Sequence, residues 1–161
     1  MLEAFVRRLP PRSRSDFYRY MELRGLNPDA EISDFALLGY AGARLPDDGF
    51  GLVHPFDNAL QPFELITEVA GFRHEAEVTQ DDIAIDAPVQ FVAEPDNVYD
   101  NQAIRIELNG RELGYVDRGR LSLFHRLLNA GHDITGSVMR KNGTADRPLI
   151  YIFTSVGAIT H

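Results

Sequence analysis

The sequence predicts a mainly β fold with helices (α+β), in which a small antiparallel β-barrel follows a helical N-terminal region. Helix signals dominate the first sixty residues, short strand-like runs begin at Phe63, and an Asn-Gly pair at 109 and 110 joins two of these runs. With 161 residues, of which 44% are hydrophobic, the chain can bury one good core but hardly two. We therefore expect a helical extension and loop over residues 1–62 and one barrel domain over residues 63–161.

The N-terminal region carries the start and stop signals of two helices. Ser13 or Ser15 is expected to cap a first helix that Gly25 ends. Ser33 opens a second helix, which ends near Gly42. Two segments rich in turn-forming residues then lead into the barrel domain: Leu45–Gly51 and Pro55–Asn58.

The barrel domain is predicted to contain five or six short strands and one inserted helix. The strands are expected at 63–72, 88–93, 103–108, 112–116, 134–139 and 149–154. Asp117 is the expected N-cap of the helix, whose apolar positions recur at helical spacing until Gly131. A loop containing Asn142 and Gly143 is expected between the last two strands. Because closure removes exposed sheet edges, the pattern favours a closed barrel.

The Asn109-Gly110 turn sets an expected hairpin register. With a two-residue turn, the expected pairs include Ile106 with Leu113 and Ile104 with Tyr115. This register places Tyr115 on the core face of the sheet. It also sets Glu107 opposite Glu112, a like-charged pair, so a bulge or a solvent-facing edge is an alternative.

Charge is unevenly distributed along the barrel domain. The formal net charge is −8, and the stretch from Phe63 to Asp100 holds ten acidic side chains and one basic one, Arg73. The stretch from Asn101 to His161 holds five acidic and eight basic side chains. Such a balance argues against indiscriminate binding to phosphate backbones. Fifteen of the 16 cations are arginines, which suit either bidentate contacts to phosphate or pairing with the acidic half.

Several functional classes lack their usual signals in this sequence. It has no cysteine, no Gly-x-Ser-x-Gly elbow, no glycine-rich phosphate loop and no zinc-ligand spacing, so we expect no enzyme activity, no cofactor and no metal. An acidic series is interpreted as solvated loop charge and not as a divalent-cation site: Asp81, Asp82, Asp86, Glu94, Asp96 and Asp100. Without a bilayer-length apolar run or a secretory signal pattern, a cytoplasmic protein with no membrane partner is expected.

A polar, aromatic-bearing loop directly precedes the third predicted strand. Its pattern is Pro95-x-Asn97-x-Tyr99-Asp100-x-x-Ala103-Ile104, followed by Asn109-Gly110 and by Gly114-Tyr115-Val116. This spacing resembles the HIRAN domain, a module at the front of some helicase-like remodellers that also occurs as short stand-alone bacterial proteins. The resemblance spans roughly Phe63 to Val156 and includes a glycine, apolar, basic, aromatic stretch at 71–74.

The resemblance implies a barrel related to the oligonucleotide-binding fold that binds the 3′ end of single-stranded DNA. The nucleic-acid-binding residues that it implies are Arg73, His74, Asn97, Tyr99, Asp100, Tyr115 and Arg118. In this assignment Tyr99 and His74 stack on terminal bases, and Asp100 accepts a hydrogen bond from the free 3′-hydroxyl. Arg73 and Arg118 contact phosphates.

The predicted function is therefore a non-enzymatic protein that binds single-stranded DNA in DNA repair or in the processing of damaged, stalled or foreign DNA. The alternative is a protein-interaction or regulatory module that uses the acidic face of the barrel, or the N-terminal helices, for a protein partner and binds no DNA. Asn97 and Asp100 are also typical turn residues, and Pro95 fixes the approach of the chain, so ordinary loop chemistry explains the motif about as well.

Overall fold

The chain divides into two units, Met1–Phe56 and Asp57–His161. The computed structural model describes residues 5–43, 52–57, 59, 62–74 and 78–159. The predicted turn-rich segment Leu45–Gly51 lies outside these residues, as does Asn58. Within them, no helix has the length and apolar composition needed to span a bilayer.

The first unit contains helices α1 (Phe17–Glu22) and α2 (Asp34–Ala41). Their apolar side chains share one core, formed by Leu9, Phe17, Met21, Leu37, Leu38 and Ala43. The hydroxyl of Ser33 accepts a hydrogen bond from the backbone N–H of Ala36 at 3.2 Å, and Gly42 ends α2 with a φ of 55°. Both ends of α2 thus match the sequence signals.

The predicted cap of α1 is wrong. The N-cap is Asp16, not Ser13 or Ser15, and its side chain makes no capping hydrogen bond. The Asp16 carboxylate accepts instead from the guanidinium of Arg14, at 2.6 Å and 2.7 Å. Because this local ion pair occupies the carboxylate, α1 begins without a side-chain cap.

In the second unit, six strands of the described residues close into an antiparallel barrel. They are β1 (Phe63–Ala70), β2 (Pro88–Ala93), β3 (Ile104–Leu108), β4 (Arg111–Val116), β5 (His132–Thr144) and β6 (Arg147–Ile159). Around the barrel they follow the order β1, β4, β3, β2, β5, β6. Helix α3 (Leu121–Asn129) lies between β4 and β5 in sequence. The predicted small antiparallel barrel with an inserted helix is confirmed.

Buried residues of the strands fill the interior of the barrel, with strict alternation in β1 and β3, and α3 adds to this core. In β1 the buried positions are Leu65, Thr67 and Val69. The ring of Phe124 from α3 is fully buried, with its centroid 5.0 Å from that of Phe91. Residues between the buried positions therefore point to the outer face, which is where binding side chains can be placed.

The loop predicted around Asn142 and Gly143 is wrong. Both residues belong to β5, where Asn142 pairs with Leu149 and Gly143 pairs with Pro148. The turn lies at residues 145–146, between Thr144 and Arg147. Strands β5 and β6 are consequently 13 residues long each, roughly twice the predicted length.

A bulge in the β3–β4 hairpin changes the predicted register. The observed pairs are Leu108 with Arg111, Glu107 with Glu112, Ile106 with Gly114 and Arg105 with Tyr115. The predicted pairs of Ile106 with Leu113 and of Ile104 with Tyr115 are therefore wrong. Since β4 places one additional residue opposite β3, Tyr115 lies on the outer face beside Arg105, while Leu113 stays buried in the core.

Gly114 makes this bulge possible. Its φ is +136°, and a Cβ at this position would lie 2.3 Å from the carbonyl oxygen of Ala70 and 2.8 Å from Cγ1 of Val69. Close packing of β4 on the end of β1 therefore requires a residue without a side chain.

Candidate nucleic-acid interface

The loop over residues 94–103, which we call the β2–β3 loop, is held in shape by Asn97. The Asn97 Oδ1 accepts hydrogen bonds from the backbone N–H groups of Tyr99 at 3.0 Å and Asp100 at 3.1 Å. Asn97 N–H itself donates to the carbonyl of Glu94 at 3.1 Å. An asparagine side chain that replaces a backbone acceptor in this way fixes a tight turn.

The second half of the β2–β3 loop is anchored at both ends. The Asp100 Oδ1 accepts from the N–H of Gln102 at 2.9 Å, and the N–H of Ala103 donates to the carbonyl of Asp100 at 2.9 Å. His125 of α3 places its Nε2 2.8 Å from the carbonyl oxygen of Gln102. The inserted helix thus supports the loop from outside, a contact that the sequence pattern did not reveal.

Tyr99 is held at the surface by this loop. Its side chain is 95% exposed, and that of the neighbouring Val98 is 89% exposed. Burial of an aromatic ring stabilises a folded protein. Because the Tyr99 ring lies almost wholly in water, it contributes almost nothing to the stability of the fold. The ring is available to stack on a partner.

Asp100 and Arg118 lie next to each other. The Asp100 Oδ2 is 3.9 Å from Nε of Arg118, whose side chain is 87% exposed whereas that of Asp100 is 31% exposed. Asp117 accepts a hydrogen bond from the N–H of Gly119 at 2.9 Å and so caps the 3₁₀ turn Arg118–Arg120. The prediction that Asp117 is the N-cap of α3 is therefore wrong, because the 3₁₀ turn comes between them and the N-cap of α3 is Arg120. An ion pair this exposed contributes about 0–1 kcal/mol to stability, which leaves the guanidinium able to contact an anion.

Arg120, at the end of the same turn, is a buried cation. Burial lowers the pKa of its guanidinium, and the nearby charge of Asp117 opposes that shift. Arg120 therefore adds no surface charge for an anionic ligand.

Tyr115 connects the end of β4 to the segment that carries Arg73 and His74. Tyr115 pairs with Ala70 of β1, and a Cβ on the following residue, Gly71, would lie 4.0 Å from Cδ2 of the Tyr115 ring. Gly71, with a φ of +80°, turns the chain into the 3₁₀ turn Phe72–His74. Phe72 anchors that turn in the core, so Arg73 and His74 are exposed.

The seven residues expected to bind nucleic acid therefore fall into two groups. Asn97, Tyr99, Asp100 and Arg118 surround the β2–β3 loop, and Arg73, His74 and Tyr115 surround the end of β1. Tyr115 of the second group also belongs to an outer row of paired residues that crosses β3, β4 and β1: Arg105, Tyr115 and Ala70.

Sequence reasoning missed a set of ion pairs under the β2–β3 loop. Arg105 contacts Glu94 Oε1 through Nη1 at 2.5 Å and Glu107 Oε1 through Nη2 at 2.6 Å. Burial lowers the pKa of Arg105, but the hydrogen bond to Glu107 and the charges of Glu94, Glu107 and Glu112 outweigh it, so the pKa is raised overall. The alternation of β3 predicted an outward Arg105, but only the folded chain brings Glu94 to it.

Part of the acidic series is already engaged within the protein. Glu94 pairs with Arg105, and Asp82 accepts from the hydroxyl of Thr79 at 2.7 Å, which lowers the pKa of Asp82. In the part of the chain that the structure describes, no group of three or more His, Asp or Glu side chains is arranged to hold a metal ion.

The barrel domain is similar to known proteins in sequence and in fold. The sequence profile of the HIRAN domain matches residues 62–156. The crystal structure of the HIRAN domain of human HLTF is similar at 22% identity and a TM-score of 0.47, covering 58% of this chain and 74% of that chain. The crystal structure of a protein from Lactobacillus plantarum is similar at 19% identity and a TM-score of 0.50, covering 59% of this chain and 92% of that chain. Because the sequence identity is this low, the similarity to the Lactobacillus plantarum structure shows a shared fold and gives no information about function. Comparison with curated proteins finds no match.

Proposed function

The chain belongs to the HIRAN domain family, and we propose that it is a non-enzymatic protein that binds single-stranded DNA at a 3′-hydroxyl end. HIRAN domains are in general DNA-binding domains. The proposed setting is DNA repair or the processing of damaged, stalled or foreign DNA. The observation that carries the proposal is the ordered β2–β3 loop, which presents the Tyr99 ring to solvent and holds the partly exposed Asp100 carboxylate beside Arg118.

Tyr99 supplies the sequence-independent part of the proposed binding. Stacking of a base on an exposed aromatic ring contributes roughly 1–3 kcal/mol and tolerates any base. His74, exposed on the 3₁₀ turn after β1, is proposed to stack on a neighbouring base. Binding that relies on rings needs few cations, which is compatible with a net charge of −8.

Asp100 supplies the proposed selectivity for the end of the strand. A carboxylate accepts a hydrogen bond from a terminal hydroxyl but repels a terminal phosphate. Two unit charges about 4 Å apart near a protein surface interact by up to about 4 kcal/mol, and Arg118 offsets part of that repulsion. Arg118 and Arg73 are proposed to contact the phosphates of the following nucleotides.

The test compares two oligonucleotides of one sequence, ending in a 3′-hydroxyl or a 3′-phosphate, by fluorescence anisotropy. We expect tighter binding to the 3′-hydroxyl by about tenfold or more, because a repulsion above about 1.4 kcal/mol produces that ratio. Asp100→Asn should abolish the preference, and Tyr99→Ala should weaken binding to both ends by roughly fivefold to a hundredfold.

The control is Tyr18→Ala, which removes an exposed tyrosine of the first unit and should leave binding unchanged. Equal affinity of the unaltered protein for both ends contradicts the end selectivity. No binding to either strand contradicts DNA recognition and favours a protein-interaction module.

A further inference from the structure

A continuous chain of polar contacts leads from the outer face of β3 to the backbone of Tyr99. Arg105 Nη1 contacts Glu94 Oε1 at 2.5 Å, and the other carboxylate oxygen, Oε2, accepts from Asn97 Nδ2 at 2.9 Å. Asn97 Oδ1 then accepts from the N–H groups of Tyr99 and Asp100. Every link is a direct hydrogen bond.

These contacts determine which way the Asn97 amide faces. An ionised carboxylate only accepts hydrogen bonds, so the Asn97 NH₂ must face Glu94. The Asn97 oxygen is thereby directed at the Tyr99 and Asp100 N–H groups, which need an acceptor. In a flipped amide, the Asn97 NH₂ group would face the N–H groups of Tyr99 and Asp100. All of these groups are donors, so the turn would lose both hydrogen bonds.

Arg105 holds Glu94 in the position that this orientation requires. Arg105 is a residue of β3, so the barrel fixes its backbone, and Glu107 fixes its second nitrogen at 2.6 Å. A guanidinium held by two carboxylates has little freedom to move. Without it, the like charges of Glu94 at the start of the β2–β3 loop and of Glu107 on β3 lose the cation between them, and Glu94 is driven toward solvent and away from Asn97.

We propose that Arg105 is a positioning residue for DNA recognition, which acts through Glu94 and Asn97 to set the backbone of Tyr99 and Asp100. The inference rests on the proposed function only for its effect on DNA. Its effect on the β2–β3 loop is independent of any ligand.

The experiment measures amide hydrogen exchange of Tyr99 and Asp100 by NMR without DNA, together with the affinity for a 3′-hydroxyl single strand. Arg105→Met keeps most of the side-chain length and removes the charge. We expect exchange of both amides to accelerate about tenfold and DNA affinity to fall about tenfold, as for loss of one charge-assisted hydrogen bond. Arg105→Lys should recover part of both losses because it restores a donor to Glu94.

Three further comparisons separate positioning from general destabilisation. Arg111→Met removes an exposed arginine of the same hairpin and should change neither readout. Glu94→Gln replaces one of the two acceptor oxygens by a donor NH₂ group, so it cannot accept from both Asn97 and Arg105, and it should accelerate exchange of the same two amides. In an Asn97→Ala background, Arg105→Met should cause no additional loss of DNA affinity, because the route through Asn97 is already broken.

The two proposals can fail separately. Unchanged exchange of Tyr99 and Asp100 in folded Arg105→Met overturns the positioning role, whatever the DNA result. Accelerated exchange in a protein that binds no DNA supports the role of Arg105 in the loop and contradicts the proposed function. A full additional loss of affinity in the Asn97→Ala background also overturns the inference.

Discussion

Gly114 determines which side chains of β4 face the core and which face solvent. By accommodating the bulge, it leaves Leu113 buried and turns Tyr115 to the outer face beside Arg105. A residue with a side chain at this position would collide with the backbone of Ala70. The position of Tyr115 on the outer face therefore depends on Gly114.

Gly114→Ala should reduce the free energy of unfolding by about 2–5 kcal/mol, since a left-handed backbone strain and an overlap with packed backbone add together. The matched control is Gly110→Ala, at a φ of +75° with no atom within 4 Å of its Cβ position. That variant carries backbone strain alone and should lose about 1–2 kcal/mol. Urea unfolding measures both. Equal losses would mean that the collision with Ala70 is relieved without cost.

The local chemistry of single residues could be predicted from the sequence, whereas their long-range partners could not. Ser33, Gly42 and Asn97 act on backbone groups within a few residues, and all three do so as their local chemistry predicts. The face of Tyr115 depends on a bulge, and the partner of Arg105 depends on a loop eleven positions away in the chain. Such features are decided by packing between strands.

At the scale of elements, β1 and β6 share a polar contact inside the barrel. Thr67 and Thr154 are fully buried, and their hydroxyl oxygens are 3.3 Å apart. Removing a hydroxyl group from water costs free energy, and the hydrogen bond between the two threonines offsets part of that cost. The pair therefore links two strands that are far apart in sequence.

Thr67→Val should reduce the free energy of unfolding by about 1–3 kcal/mol, because it leaves the Thr154 hydroxyl buried without this partner. The double variant Thr67→Val, Thr154→Val should be close to the unaltered protein in chemical denaturation, since both polar groups are removed together. Thr135→Val, at an exposed position of β5, is the control and should change stability by less than about 0.5 kcal/mol. Additive losses in the double variant would show that the two hydroxyls act independently.

Element types could be predicted more securely than element lengths. The alternation of β1 and the helical spacing of α3 are properties of short segments, and both elements form in those segments, although β1 ends at Ala70 and α3 begins at Leu121 without Asp117 as its cap. The Asn142 and Gly143 pair has strong turn character, yet it is drawn into the β5–β6 ribbon and the turn forms two residues later. Pairing between two long strands outweighed local turn preference.

At the scale of the whole molecule, a net charge of −8 disfavours binding of DNA through many phosphate contacts. Arg105 is committed to Glu94 and Glu107, and Arg120 is buried. Arg73 and Arg118 remain as exposed cations near the proposed site. The overall charge was evident from the sequence, but which arginines face solvent follows only from the fold.

The affinity for a 3′-hydroxyl single strand should therefore depend weakly on salt. With two phosphate contacts, the slope of log K against log salt concentration is expected to be about −1.4, and Arg118→Gln should reduce it to about −0.7. Arg14→Gln, which changes an exposed arginine of the first unit, should leave the slope unaltered. Anisotropy titrations at several salt concentrations measure these slopes. A slope steeper than about −3 would indicate a long track of phosphate contacts and contradict recognition of an end.

The bulge in the β3–β4 hairpin also has an evolutionary consequence. Loss of the bulge without a change in length would pair Tyr115 with Ile104 and rotate its ring into the barrel interior. Deletion of one residue between Glu112 and Tyr115 would also remove the bulge, but it would leave Tyr115 opposite Arg105 on the outer face, because β4 has one residue more than β3 in this segment. A relative with a hairpin one residue shorter could therefore keep the same outer row, whereas a relative of equal length without the bulge would lose it.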